Sequence, residues 1–144
     1  MVVEKTLRIG EKLGNYRGLA VGHGQSARIH MESGRYDEAD TRYDLALAAA
    51  RQAGDKKLEG SLLQHQGGLA DERNQLDRAT RLYQQALQRF QEAGDAGSMM
   101  RTYNLLGVAE QKAGRLAEAR AWYVKSRELA VQLQDQPSLG AAAQ

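Results

Sequence analysis

"GRYDEADTRYDLAL" occupies Gly34 to Leu47, "NQLDRATRLYQQAL" Asn74 to Leu87, and "GRLAEARAWYVKSR" Gly114 to Arg127. Each begins 40 residues after the one before, with no insertion between copies. The alignment superposes Ala39, Ala79 and Ala119, then Tyr43, Tyr83 and Tyr123, then the small residues Ala46, Ala86 and Ser126. Beyond the quoted stretches it also superposes Gly14, Gly54 and Gly94, and a second small column of Ala27, Gly67 and Gly107. An exact period of this length is the signature of a stacked array of identical supersecondary units.

Apolar residues within one period recur at helical spacing, as in Leu76, Ala79, Tyr83, Ala86, Leu87 and Phe90. Each quoted stretch is therefore an amphipathic helix. It ends at "AGD", residues 53–55 and 93–95, where glycine takes the left-handed conformation that closes a helix and aspartate caps the next one. A second helix precedes each copy, as in Met99, Tyr103, Leu106 and Ala113, and stops at Gly34, Asn74 or Gly114. So few residues join the two helices that they must be antiparallel. A hairpin of this kind buries one face of each helix, and the remaining apolar face packs on the next hairpin, so stability accumulates along a line. The fold expected is all-α, an α-solenoid of stacked antiparallel helix pairs, in a single domain over 1–144.

The register runs past both ends. Val3, Leu7 and Gly14 align with Tyr43, Leu47 and Gly54, and Gly140 aligns with Gly60. Residues 1–13 therefore read as the second helix of a partial repeat, followed by repeats at 14–53, 54–93 and 94–133 and the start of a further one at 134–144. Half-repeats at both termini suggest a piece of a longer array. Neither terminus supplies an evident polar cap, so end-to-end association of open solenoid ends, a homo-oligomer, is expected.

Composition closes several routes. The chain has 144 residues, no cysteine, one proline, and 20 basic against 18 acidic residues scattered throughout. Without cysteine there is no disulfide, thiolate metal site or thiol nucleophile. The surplus of two positive charges is not the basic stripe that nucleic acid requires. No apolar run is long enough to span a bilayer and no secretory leader is evident, which gives a cytoplasmic expectation.

"GLAVGHG", residues 18–24, lacks the following Gly-Lys-Ser/Thr and the preceding strand of a phosphate loop, and by register it is a glycine-weakened helix. His23 and His30 lie about 10 Å apart along a helix and cannot share a metal ion. Acidic neighbours such as Asp37 and Glu38 point to different helical faces and make no catalytic pair. Neither an enzyme, a cofactor nor a metal is expected.

The small residue of the first helix (Ala27, Gly67, Gly107), the turn residue (Gly34, Asn74, Gly114) and the Ala-Tyr-Ala/Ser of the second resemble a tetratricopeptide repeat, in its long variety with Gly-Asp junctions. The pattern departs from that family at His30, Ala70 and Glu110, where a bulky apolar residue is usual. The resemblance implies a right-handed superhelix whose first helices line a concave groove for a peptide or partner protein. The lining so implied includes Gln25, Arg28 and Glu32, then Gln64, His65 and Asp71, then Arg101, Asn104, Val108, Gln111 and Lys112. It implies an interaction scaffold, with a peptide- or ligand-sensing module of a bacterial signalling or transcription regulator as the alternative.

Overall fold

The computed structural model describes the backbone of residues 2–135 and the side chains of residues 14–134; the segment 136–144, including the register position Gly140, lies outside the described residues. Over that range the chain forms α1 (Val2–Glu32), α2 (Tyr36–Ala53), α3 (Lys56–Glu72), α4 (Leu76–Ala93), α5 (Ala96–Lys112) and α6 (Leu116–Asp135). Successive helices pack in antiparallel pairs, α1 with α2, α3 with α4 and α5 with α6, and α2 and α4 carry each pair onto the next.

The turns are made by the residues that the register aligns. Gly34, Asn74 and Gly114 take left-handed backbone conformations, with φ of 77°, 61° and 81°. At the first of them the Arg35 amide donates to the His30 carbonyl and the Gly34 amide to Met31, closing the last turn of α1 by the Schellman pattern. Between pairs, Asp55 and Asp95 accept from the Leu58 and Ser98 amides and satisfy otherwise orphan donors at the starts of α3 and α5.

One expected turn is absent. α1 is continuous from Val2 to Glu32, so Gly14 lies inside a helix and residues 1–13 do not form a separate second helix of a preceding repeat. Gly14 shares the glycine of Gly54 and Gly94 but not the aspartate that follows them, since Asn15 stands there. At the other end α6 runs to Asp135, past the position where a further repeat was expected to start.

The columns of small residues have a direct steric cause. A Cβ added at Gly67 would lie 2.7 Å from the Tyr83 ring, and one added at Gly107 would lie 2.6 Å from the Tyr123 ring. Each glycine is the seat of the tyrosine on the partner helix of its own pair. Gly60 seats Phe90 in the same manner, at 2.7 Å. Tyr43 and Tyr83 are each 1% exposed and sit in one continuous core with Ala39, Ala79, Leu69 and Leu106. Tyr123 departs from the core position of its counterparts and is only partly buried, no helix among the described residues lying beyond α6 to cover it.

The junction between the first two pairs is polar. Asp40 accepts hydrogen bonds from Gln66, Arg73 and Arg78, the last at 2.8 Å, and Asp44 accepts a second bond from the fully buried Gln66. The corresponding positions between the second and third pairs are Thr80, Gln84 and the buried Leu106, so that junction lacks this carboxylate-centred network and combines apolar packing with the Asp71–Lys112 and Asp77–Arg115 ion pairs.

The departures at the ends of the first helices fare differently. Buried Glu110 accepts from Arg115 at 2.7 Å, whereas His30 Nδ1 is buried and, although 3.2 Å from Glu38, makes no hydrogen bond. An apolar side chain at either position would need no partner.

Glycine-to-alanine substitutions separate seat from spacer. Gly67→Ala should lower stability, since overpacking against an enclosed ring costs about 1–3 kcal/mol and alanine's helix preference returns at most about 1 kcal/mol. Gly107→Ala should be close to neutral, because the Tyr123 ring can swing toward solvent. Gly18→Ala, where a Cβ meets nothing within 4 Å, should stabilise by about 0.5–1 kcal/mol. Urea unfolding midpoints of the three variants check this order; equal values for Gly67→Ala and Gly107→Ala would remove the seating argument.

Candidate protein-binding groove

α1, α3 and α5 are the first helices of their pairs, and they present one common face. Between α1 and α3 that face opens into a cleft of about 150 Å³, walled by Val21, Gln25 and Arg28 on one side and Leu58, Ser61 and His65 on the other, with Tyr43 in the floor. Gly24 narrows the wall: a Cβ there would lie 2.9 Å from a terminal methyl of Leu62, so the glycine that weakens α1 also admits the α3 leucine. The cleft joins Gln25, Arg28 and His65 from the implied lining and adds Leu58, Leu62 and Tyr43. The register of a single helix could not reveal these three, because they reach the cleft only after α1, α2 and α3 are packed together.

Charge concentrates at the centre of the face. His65 has a pKa below its ordinary value, first because burial disfavours its charged form and then because the Arg28 and Arg101 guanidinium groups repel a proton; a hydrogen bond with the Ser61 backbone pulls weakly the other way. Arg28 and Arg101 come from different pairs, so the fold makes this cluster. Burial pushes the Tyr43 phenol up, opposed by Arg28 and reinforced by Asp40 and Glu32. Burial pushes the Tyr83 phenol up as well, with a contribution from Asp71.

Other residues of the implied lining stand differently. Gln64 is buried and accepts a hydrogen bond from the Thr102 hydroxyl at 2.9 Å, so it joins α3 to α5 and does not line the groove. Asp71 and Lys112 meet each other at 2.8 Å across the same two helices, with Asp71 largely covered. Their charges are spent on the stack. Gln111 accepts from the Tyr123 hydroxyl at 3.0 Å. Asn104 and Val108 are exposed on α5, and Glu32 is exposed at the end of α1. Among the described residues no group of three or more His, Asp or Glu side chains is placed to hold a metal ion, and no described helix is long and apolar enough to cross a membrane.

The chain matches the tetratricopeptide repeat family over residues 18–92 and again over 99–133. It belongs to that family. No curated protein matches the sequence. Among solved structures, BtubC (BKLC) of P. vanneervenii is similar with a TM-score of 0.76 and 21% identity, over 92% of this chain and 55% of that one. The aspartyl phosphate phosphatase F of Bacillus subtilis is similar with a TM-score of 0.77 and 20% identity, over 86% of this chain and 32% of that one. The TPR domain of Arabidopsis FLU is similar with a TM-score of 0.72 and 14% identity, over 83% of this chain and 99% of that domain. The chain thus spans about half of the first and a third of the second, and the likeness shows a shared fold.

The depressed His65 pKa fixes the sign of a pH effect. Its folded value lies below the unfolded one, so the unfolded chain binds the proton more readily, and the contribution of His65 favours the native state above about pH 6.5 and is lost as pH falls below it. Thermal melts should therefore fall more steeply between about pH 6.5 and 5 for wild type than for His65→Gln. Parallel curves for the two proteins would show that neither burial nor the guanidinium groups lower the proton affinity of this ring.

Proposed function

We propose that this protein is a scaffold whose concave face holds an acidic segment of a partner protein, with no chemistry performed on it. Three helix pairs, 14–53, 54–93 and 94–133, act as its units. The observation that carries the reading is that Arg28 and His65 line one mainly apolar cleft, with Arg101 of the next pair near enough to His65 to act on its charge. The two exposed guanidinium groups favour carboxylates through charge-assisted, bidentate hydrogen bonds, and the cleft walls of Val21, Leu58 and Leu62 accept one apolar side chain beside Arg28. Asp71 is occupied by Lys112 and repels little, whereas Glu32 at the end of α1 sets a boundary that an acidic ligand would avoid. The extended concave surface of a stacked array is the usual place for such contacts.

The test is fluorescence anisotropy with labelled peptides in which glutamates are interspersed with leucines, against a lysine-for-glutamate control series. Acidic peptides should bind at low salt and weaken as salt rises. Arg28→Glu combined with Arg101→Glu should weaken them by at least about tenfold, the effect of losing two close charge partners. The His65 ring, followed by NMR, should titrate at higher pH in the bound state, since an added carboxylate favours the imidazolium. Equal binding of the acidic and basic series, or no effect of the double variant, would refute the reading.

A further inference from the structure

The two ends of the stack carry faces that match each other, and the internal junctions say how. Where the second pair docks on the first, Arg78 meets Asp40 at 2.8 Å and Glu59 meets Arg51 at 3.0 Å. Advancing by two periods of 40, the position of Asp40 on the last pair is Arg120 and that of Arg51 is Val131; stepping back by one, the positions of Arg78 and Glu59 on the first pair are Glu38 and Leu19. A second copy docked with the same geometry therefore sets Arg120 against Glu38, the internal ion pair with its polarity reversed, and sets Val131 against Leu19 where the internal junction has a charge pair.

The substitution extends around the contact. The internal cleft beside Arg51 and Glu59 is lined by Leu63, Gln85, Gln88 and Arg89. At the ends the same positions are His23, Leu45, Ala48 and Ala49, a set far more apolar. Leu19 is 50% exposed, Leu45 45% and Val131 49%. Open clefts lie over these surfaces: one of about 550 Å³ at the far end beside Arg120, Tyr123 and Val124, and two of about 500 and 540 Å³ at the near end beside Leu19 and beside Glu38 and Leu45. Most of the segment that the register would fold over the near face instead continues α1, which begins at Val2.

We infer that a second copy of this chain docks head to tail, α6 of one molecule lying along α1 of the next, with Arg120 paired to Glu38 and Val131 packed on Leu19. Such an interface uses different surfaces on the two partners and does not close on itself, so it propagates the superhelix as an open filament. Within each molecule Glu38 also lies 3.2 Å from His30 Nδ1 and remains largely exposed to a second copy.

Sedimentation velocity and light scattering on the full chain test this. The average mass should rise continuously with concentration without stopping at a dimer. Arg120→Glu and Glu38→Arg should each weaken association by about tenfold or more, because each opposes like charges across the junction. A one-to-one mixture of the two variants should assemble again, since every contact in an alternating chain then joins opposite charges. Leu19→Lys, on the exposed face, should block assembly without unfolding the monomer by circular dichroism. A wild-type protein that stays monomeric at all concentrations would overturn the proposal and leave the two faces to residues 1–13 folded back or to further repeats of a longer chain. Assembly that ignores the charge variants, or that the mixture fails to restore, would overturn it equally.

Discussion

The seating of a tyrosine ring on a glycine of the opposite helix sets the dimensions of this molecule. In the second pair the ring of Tyr83 lies where a Gly67 side chain would be, and in the third Tyr123 lies against Gly107. A side chain at the enclosed Gly67 seat would hold the two helices further apart, whereas at Gly107 the partly exposed Tyr123 ring has room to yield. Because the ring is large and rigid, the contact fixes both the separation and the rotation of the pair, and the next pair meets an unvarying surface. In the first pair Ala27, fully buried, stands in the same column as these glycines. The core is thus an assembly of nearly identical local solutions, and its continuity comes from Leu47, Leu87 and their neighbours passing from one pair to the next.

On this common frame the two internal junctions are closed by different means. Asp40 gathers Gln66, Arg73 and Arg78 in the first, where one carboxylate left without partners would be costly in a partly buried setting. The second relies on Leu106, on the Gln64 to Thr102 bond and on the Asp71–Lys112 and Asp77–Arg115 ion pairs. Polar junctions specify alignment, since a network of directional bonds is satisfied in one register only. A charged first junction and an apolar-edged outer face are a consistent pairing: the same positions are free to be charged where the chain holds the partners together and apolar where association would have to supply the contact.

The groove follows from the stack in the same way. Arg28, His65 and Arg101 belong to three helices of three different pairs, and each is unremarkable on its own helix. Stacking brings their charges close enough for the two guanidinium groups to lower the affinity of the imidazole for a proton. Stacking also removes residues from the surface. Gln64 is turned into the α3 to α5 contact, and Asp71 and Lys112 neutralise one another there.

The period of 40, the helix pairs, the left-handed turns at Gly34, Asn74 and Gly114 and the capping aspartates at 55 and 95 were all legible in the amino-acid sequence, because each depends on residues within a few turns of one another. Membership of the family was legible for the same reason: its pattern is one of local spacing. The continuity of α1 through Gly14 was not, since Gly14 and Asn15 carry the same glycine and capping residue types as the turns at 54–55 and 94–95, and the local pattern does not distinguish them. Nor could spacing tell a groove side chain from one between helices, as with Gln64, or a covered tyrosine from the only partly buried Tyr123. Those outcomes depend on what a neighbouring pair places opposite each residue, and that is decided by packing across distances of 40 residues in the chain, which only the tertiary structure brings together.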